Sequence, residues 1–329
     1  MIEPIEIMQT VPVRSRSVPP RWLLIGIAVL INMIWALSYP ISKDMIASLN
    51  PLALSCWRIV LAAAVLLPFI RRQEIPDRIT SRDVYLMLIM GLLGCGAAIM
   101  LQYAGTERTT ASNVSMLVGL ETPMVVLLSA VFLAERLSIR SVLSLVLAFL
   151  GVVLLTVDPA TLDLLGSRNL AGNLMVLASI FCVSSYTITG KLLVGRWGAT
   201  ASTALPFLVA ALTFVPAFAW YDPVAWHRGL CLNGREWLGV IFLSVIVTGI
   251  GYLAWNWLLK FMSAGELSFY LYLQPLAGAG FSVWLLGEKL TGTFFIGAVL
   301  ILGAIVLGNR TATHQTPVSA AENKKRICP

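Results

Sequence analysis

The sequence predicts an all-α polytopic membrane protein of ten transmembrane helices, arranged as two inverted five-helix repeats. Three observations carry this expectation. The 329 residues are 58% hydrophobic and 12% charged, about half the charged share of a soluble domain. Apolar segments near 20 residues, the length that crosses ~30 Å of hydrocarbon, recur along the whole chain. One stretch also occurs twice: "SMLVGLETPMVVLLSAVFLAERL" from Ser115 and "SFYLYLQPLAGAGFSVWLLGEKL" from Ser268.

Residues 1–21 hold Arg14, Arg16 and several prolines but no apolar core. They read as a polar tail, with the first span acting as signal and anchor. That span, 22–42, carries Asn32, Trp35, Tyr39 and Lys43 at i, i+3, i+7 and i+11, one polar face of a helix. The second, 51–70, opens on Pro51 and contains Arg58, a lone charge within the apolar run. The third, 84–105, carries Tyr103. The fourth, 110–133, holds Glu121, Thr122 and Pro123 near its middle and ends at Glu135. The fifth, 140–157, is rich in glycine and valine. Spans six to ten follow at 170–190, 200–220, 236–259, 264–286 and 292–308. Loops are short, and the chain ends in a basic tail, 309–329.

Charge fixes the expected orientation. Sixteen of the 23 Lys and Arg fall on the side that holds both termini, six on the other, and Arg58 inside a helix. Positive residues favour the cytoplasmic side, so both termini are expected there, in a plasma (inner) membrane of bacterial type. The net charge of +7 is therefore topological and gives no support to nucleic-acid binding. The five cysteines and two histidines show neither paired nor metal-ligand spacing, so no metal and no cofactor is expected. The sequence contains no strict GxxxG motif, the usual handle on helix association.

In the repeated stretch, both copies place a polar residue just before a proline, Glu121-Thr122-Pro123 and Gln274-Pro275. Both end in acid, base and leucine, at Glu135 and Glu288. The similarity extends to the start of each half, where "WALSYPISK" ends at Lys43 and "VSSYTITGK" at Lys191. The expected repeats are 22–158 and 169–308. Five is odd, so the halves are antiparallel, the arrangement of secondary transporters with a site at the repeat interface.

These residues, from "NMIWALSYPISK" through "LVGLETPMVVLLSAVFLAERLSIRSVLSLVLAFLGVVLL" and again to "LYLQPLAGAGFSVWLLGEKLTGTFFIGAVLILGAIVLG", resemble the EamA-type domain of the drug/metabolite transporter superfamily. Two copies cover about 22–308. The resemblance implies ten helices in inverted repeats and export or exchange of small metabolites, often amino acids. It also makes Glu135, Glu288, Lys43 and Lys191 motif positions of structural character. The halves differ in one respect: Arg58 in the first stands where the second has Pro206.

Charged side chains deep in a membrane helix cost ~2.5–3.5 kcal/mol on insertion scales and face protein or a cavity. Glu121, about eleven residues into its expected helix, is the candidate proton site or partner of a substrate amine; an ion pair with Arg58 is the structural alternative. The Arg58 fork suits a carboxylate held in bidentate fashion. Trp35, Tyr39, Tyr103, Trp255, Tyr270 and Tyr272 are the candidate lining aromatics, with Gln274 as the second half's polar residue. Pro123 and Pro275 are candidate helix hinges, and the glutamates at helix ends are expected to cap or pair locally. Trp22, Trp220, Tyr221 and Trp237 are expected at the membrane interface.

Function classes divide as follows. A secondary transporter of a small zwitterion, with protons as the candidate coupling ion, uses the mid-membrane charges. A membrane enzyme acting on lipid would need a cluster of His, Asp or Glu near one surface, and the sequence supplies none. A passive channel has less use for inverted repeats. There is no Walker-type nucleotide motif, so gradients rather than ATP are the expected energy source.

Overall fold

A computed structural model describes residues 19–109, 114, 117–135, 138–156, 170–286 and 292–312. Its membrane segments are α1 (Arg21–Ser48), α2 (Pro51–Leu66), α3 (Ser81–Glu107), α4 (Glu121–Phe132) and α5 (Ile139–Thr156) in the first half. The second half holds α6 (170–197), α7 (199–221), α8 (Gly234–Leu258), α9 (Leu273–Leu286) and α10 (Gly292–Ala312). Among the described residues, five stretches, one of them α6 and α7 together, are long and apolar enough to cross a membrane; Glu121–Phe132, Ile139–Leu154 and Phe295–Gly308 are shorter apolar helices.

Local chemistry explains where helices begin. Asn50 accepts a hydrogen bond from the Leu52 amide at 2.8 Å, and Pro51 occupies the first helical position of α2, where no donor is needed. The third helix of each half opens on a capping box, Thr80 with Asp83 in α3 and Asn233 with Glu236 in α8. Both then pass through a π-helical segment, Met90–Ala97 and Phe242–Ile250. The two-fold relation between the halves thus extends to a backbone irregularity that the apolar pattern hides.

Helices α6 and α7 meet at Gly198, whose φ of 74° is a left-handed conformation that favours glycine. Glu74, from the loop after α2, packs against it and caps α7, accepting from the Ala201 amide at 2.9 Å and the Thr200 hydroxyl at 3.2 Å. A Cβ at 198 would lie 2.7 Å from the Glu74 side chain. With ψ at 167° the residue lies in a region essentially restricted to glycine, so Gly198→Ala is expected to cost ~1–3 kcal/mol from backbone conformation alone, with more from displacing the cap. A fall in the thermal unfolding midpoint in detergent checks this, and an unchanged midpoint would contradict it.

Helix contacts follow the inverted repeat. Helix α1 packs on α9 as its counterpart α6 packs on α4, and α1 meets α8 as α6 meets α3. The last helices of the halves pack on each other, with Gly151 against the Gly297 carbonyl. Contacts between loops also segregate by face. At the face bearing the start of α1, Arg21 pairs with Glu266 at 2.9 Å and Arg196 with Asp83 at 2.8 Å. At the opposite face, Trp57 stacks on Trp226 at 4.8 Å, Thr109 bonds Asn173 at 2.6 Å, and Arg235 approaches Asp44 to 3.7 Å. Each pair joins segments that ten alternating crossings place on one side.

Two expected spans are not regular α-helix throughout. Glu121 is the first residue of α4, not the eleventh of a long helix, and follows a turn at Gly119 and Leu120. In the second half, Ala264–Ser268 and a 3₁₀ turn, Phe269–Tyr272, precede α9. Pro123 and Pro275 are each the third residue of their helix rather than mid-helix residues. A first-turn proline forfeits no intrahelical bond, and its ring obstructs the carbonyl four residues back, so it prevents the helix from running on through the break.

The motif acids and bases bind backbone. Glu135 does not bond locally: its two carboxylate oxygens accept from the Ala264 and Gly265 amides, both at 3.0 Å, about 130 residues away. Lys191 donates to the Leu259 and Met262 carbonyls, the latter at 2.7 Å, at the C-terminal end of α8, where a cation is favoured. It thus ties α6 to the end of α8. Glu135→Ala removes two charge-assisted bonds worth ~1.5–3 kcal/mol each; reduced thermal stability with Glu135→Gln intermediate is the expected result, measured in the same melt. Lys43 lies within α1 with its side chain outside the described set, and Glu288 lies outside the described residues altogether.

Candidate functional site

Arg58 sits in the second turn of α2 and is 6% exposed. Its Nε and Nη2 donate to the Thr248 hydroxyl at 3.0 and 2.8 Å, and Nη1 donates to the Tyr103 hydroxyl. The guanidinium carbon also lies 5.3 Å from the Tyr103 ring centre. Thr248 belongs to the π segment of α8, and its hydroxyl donates to the Leu243 carbonyl five residues earlier at 2.7 Å. No carboxylate pairs with Arg58 among the described residues. A buried cation is here held by two hydroxyls and an aromatic face, with guanidinium hydrogens left over. Five N–H groups in a fixed fork favour an incoming carboxylate.

Glu121 is half-buried at the start of α4 and makes no hydrogen bond or ion pair among the described residues. The structural alternative of an Arg58–Glu121 pair is therefore not realised. Tyr39 and Tyr252 are each within electrostatic range of both charges. The opposite charges thus share one region without pairing with each other.

Aromatic rings make the wall. The Trp35 indole N–H donates to the Val247 carbonyl at 3.0 Å, again in the α8 π segment. Its ring packs on Tyr252 at 5.6 Å and on Trp255 at 5.3 Å. Tyr252 is further fixed edge-on by Tyr186 at 4.9 Å and Phe207 at 5.4 Å. A Cβ at Gly251 would lie 2.7 Å from the Trp35 nitrogen, so glycine there permits the close approach of α8 to α1. π-Helical turns widen the backbone spacing and are frequent at functional sites; this one presents a carbonyl to Trp35 and a hydroxyl to Arg58.

The candidates from sequence fall into two shells. Trp35, Tyr39 and Glu121 are half-buried around the shared region, while Arg58, Trp255, Tyr270 and Gln274 are buried. Trp255 donates to the Thr187 hydroxyl at 3.2 Å, and Gln274 bonds both Tyr39 and Asn32. Trp22, Trp220 and Tyr221 are strongly exposed, whereas Trp237 packs against Trp57. Tyr252 and Thr248 were not singled out by the sequence. The first had a signal, lying three residues before Trp255 on one helical face; the second had none, since its partner Arg58 is 190 residues away.

A ten-span bundle of inverted repeats, with opposite charges unpaired at the seam between halves, defines a multi-pass membrane transport protein rather than an enzyme. The chain belongs to the EamA-like transporter family, whose sequence profile matches residues 22–157 and 170–310. Among curated relatives, it is 24% identical over 275 residues to an uncharacterized transporter of Archaeoglobus fulgidus, covering 84% of this chain and 93% of that one. It is 24% identical to a probable amino-acid metabolite efflux pump of Escherichia coli, covering 85% and 93% of the two chains. A similarly described Salmonella typhimurium pump is 25% identical over 294 residues. A crystal structure 20% identical in sequence superposes with a TM-score of 0.71, covering 89% of this chain and 97% of that one, and shares the fold.

Proposed function

We propose that the protein is a secondary carrier that exports or exchanges a small zwitterion with an apolar part, of the amino-acid class, by alternating access. One observation carries this reading: Arg58 and Glu121 are opposite charges in one membrane-embedded region, and neither neutralises the other. Leaving both without a counter-ion is costly in a bilayer. A ligand with carboxylate and ammonium offsets both costs at once. Trp35 and Tyr252 supply an aromatic surface for its apolar part. The relatives described as amino-acid metabolite efflux pumps support the same class and the outward direction.

The charge distribution supports a cytoplasmic location for both termini. Orientation is tested by cysteines introduced singly at Arg72 and Arg235 in a cysteine-free background. An impermeant reagent added outside cells should label position 235 and spare position 72; the reverse result would invert the protein.

The turn before α4 and the 3₁₀ segment before α9 are the proposed moving parts, with Pro123 and Pro275 keeping regular α-helix from running through them. Alanine at either position permits the helix to extend backwards, so turnover should fall by several-fold with little change in half-saturation. Equal turnover in both variants would assign the prolines a static role. The carrier reading itself is tested with purified protein in liposomes. Saturable amino-acid uptake, accelerated by unlabelled amino acid on the far side, is the expected result. Unsaturable flux would indicate a channel.

A further inference from the structure

The polar residues of α1 and α9 form a chain whose donor and acceptor sense is fixed from one end. The Ala28 carbonyl can only accept, so the Asn32 atom 2.8 Å from it is the amide nitrogen. The Asn32 oxygen must then face Gln274, 3.0 Å away, and receives a hydrogen bond from the Gln274 amide nitrogen. That leaves the Gln274 carbonyl oxygen toward Tyr39, at 2.8 Å, and this oxygen can only accept. Each link forces the next, independently of how either amide is drawn. Asn32 is 0% and Gln274 5% exposed, so water does not scramble the order.

A tyrosine hydroxyl has one hydrogen to give and lone pairs to receive. Tyr39 spends its hydrogen on Gln274, and what remains for the shared region is acceptor capacity alone. Tyr39 is half-buried there, within electrostatic range of Glu121. At Arg58 the sense is reversed: Tyr103 receives from Arg58, and Arg58 retains spare donors. The site therefore has an acceptor end, Tyr39 with Glu121, and a donor end at Arg58.

We propose that Tyr39 acts as an acceptor-only contact that, with Glu121, selects ligands whose cationic nitrogen carries N–H groups, primary or secondary amines over quaternary ammonium. Gln274 and Asn32 are positioning residues that hold Tyr39 in that sense, so Gln274 is not itself a substrate contact. This deepens the zwitterion reading and rests on it. A charge alone would accept a trimethylated nitrogen, because Glu121 attracts any cation. An acceptor whose lone pair meets only methyl groups loses its hydrogen bond to water and gains none.

The test uses the full-length chain in liposomes and the protein amino acid that gives the fastest counterflow, compared with its N,N,N-trimethyl derivative. Wild type should prefer the parent by at least about tenfold, within the range expected when one buried acceptor is left unsatisfied. Tyr39→Phe should compress that preference to within about threefold. Gln274→Met should do the same while keeping the tyrosine, since the freed hydroxyl then rotates and donates. A merely structural role for Gln274 would lower both rates and leave their ratio alone. An unchanged preference in both variants would overturn the Tyr39 assignment and leave the zwitterion carrier standing. Failure of wild type to move any protein amino acid would overturn both.

Discussion

Replacing Arg58 with lysine should raise the half-saturating substrate concentration by about two orders of magnitude, with the protein still inserted and folded. The guanidinium holds Thr248 through two nitrogens and Tyr103 through a third, and a planar fork permits this while leaving donors for a ligand. An ammonium keeps the charge but offers a single point. Losing a bidentate charge-assisted contact costs ~3 kcal/mol, about a hundredfold in affinity. Arg58→Ala should be worse, because Thr248 and Tyr103 lose their shared donor as well. The measurement is counterflow of an amino acid in liposomes over a wide concentration range. A lysine variant with wild-type half-saturation would remove Arg58 from the site and return it to a purely structural role between α2, α3 and α8.

Glu121→Gln is the second large effect. Glutamine preserves volume and an acceptor but removes the charge that faces the amine end of the region. Exchange of a zwitterion should fall by more than tenfold, since an ion pair in a low-dielectric setting is worth several times its value in water. If Glu121 also carries the coupling proton, the residual transport of the variant should be flat across a pH series in which wild type varies. Equal pH dependence in the two proteins would assign proton coupling elsewhere. Because Glu121 opens α4 rather than interrupting a longer helix, its substitution threatens neither a helix interior nor an ion pair, and insertion should survive.

Much of the architecture was legible because the bilayer imposes it. Backbone polar groups in hydrocarbon must be satisfied within the segment, so apolar length alone announced helices. An odd number of them per copy made the copies antiparallel. The repeated proline element marked a real feature, but its meaning changed. The pattern suggested a kink in a continuous helix, whereas the helix begins two residues before each proline. Hydropathy cannot separate these cases, since an interrupted helix buried among neighbours is as apolar as an unbroken one.

Similarly, Glu135 read as a local cap or pair because a sequence displays only its neighbours. The bond it makes, to the amides of Ala264 and Gly265, joins the two halves. The π segments of α3 and α8 were hidden for another reason. One residue accommodated by widening a turn leaves the apolar periodicity nearly intact over so short a stretch. Yet one of those segments supplies Thr248 to Arg58 and the Val247 carbonyl to Trp35.

By itself, then, the sequence determined the class of fold, the antiparallel repeat and the residue types available in mid-membrane, because these follow from counting apolar lengths and locating rare charges. The tertiary structure alone decided which charges meet. Arg58 and Glu121 are 63 positions apart in sequence and were as well suited to pairing as to separation. Packing of α1 and α8 brings Tyr39 and Tyr252 within electrostatic range of both, and the two charges stay unpaired with each other.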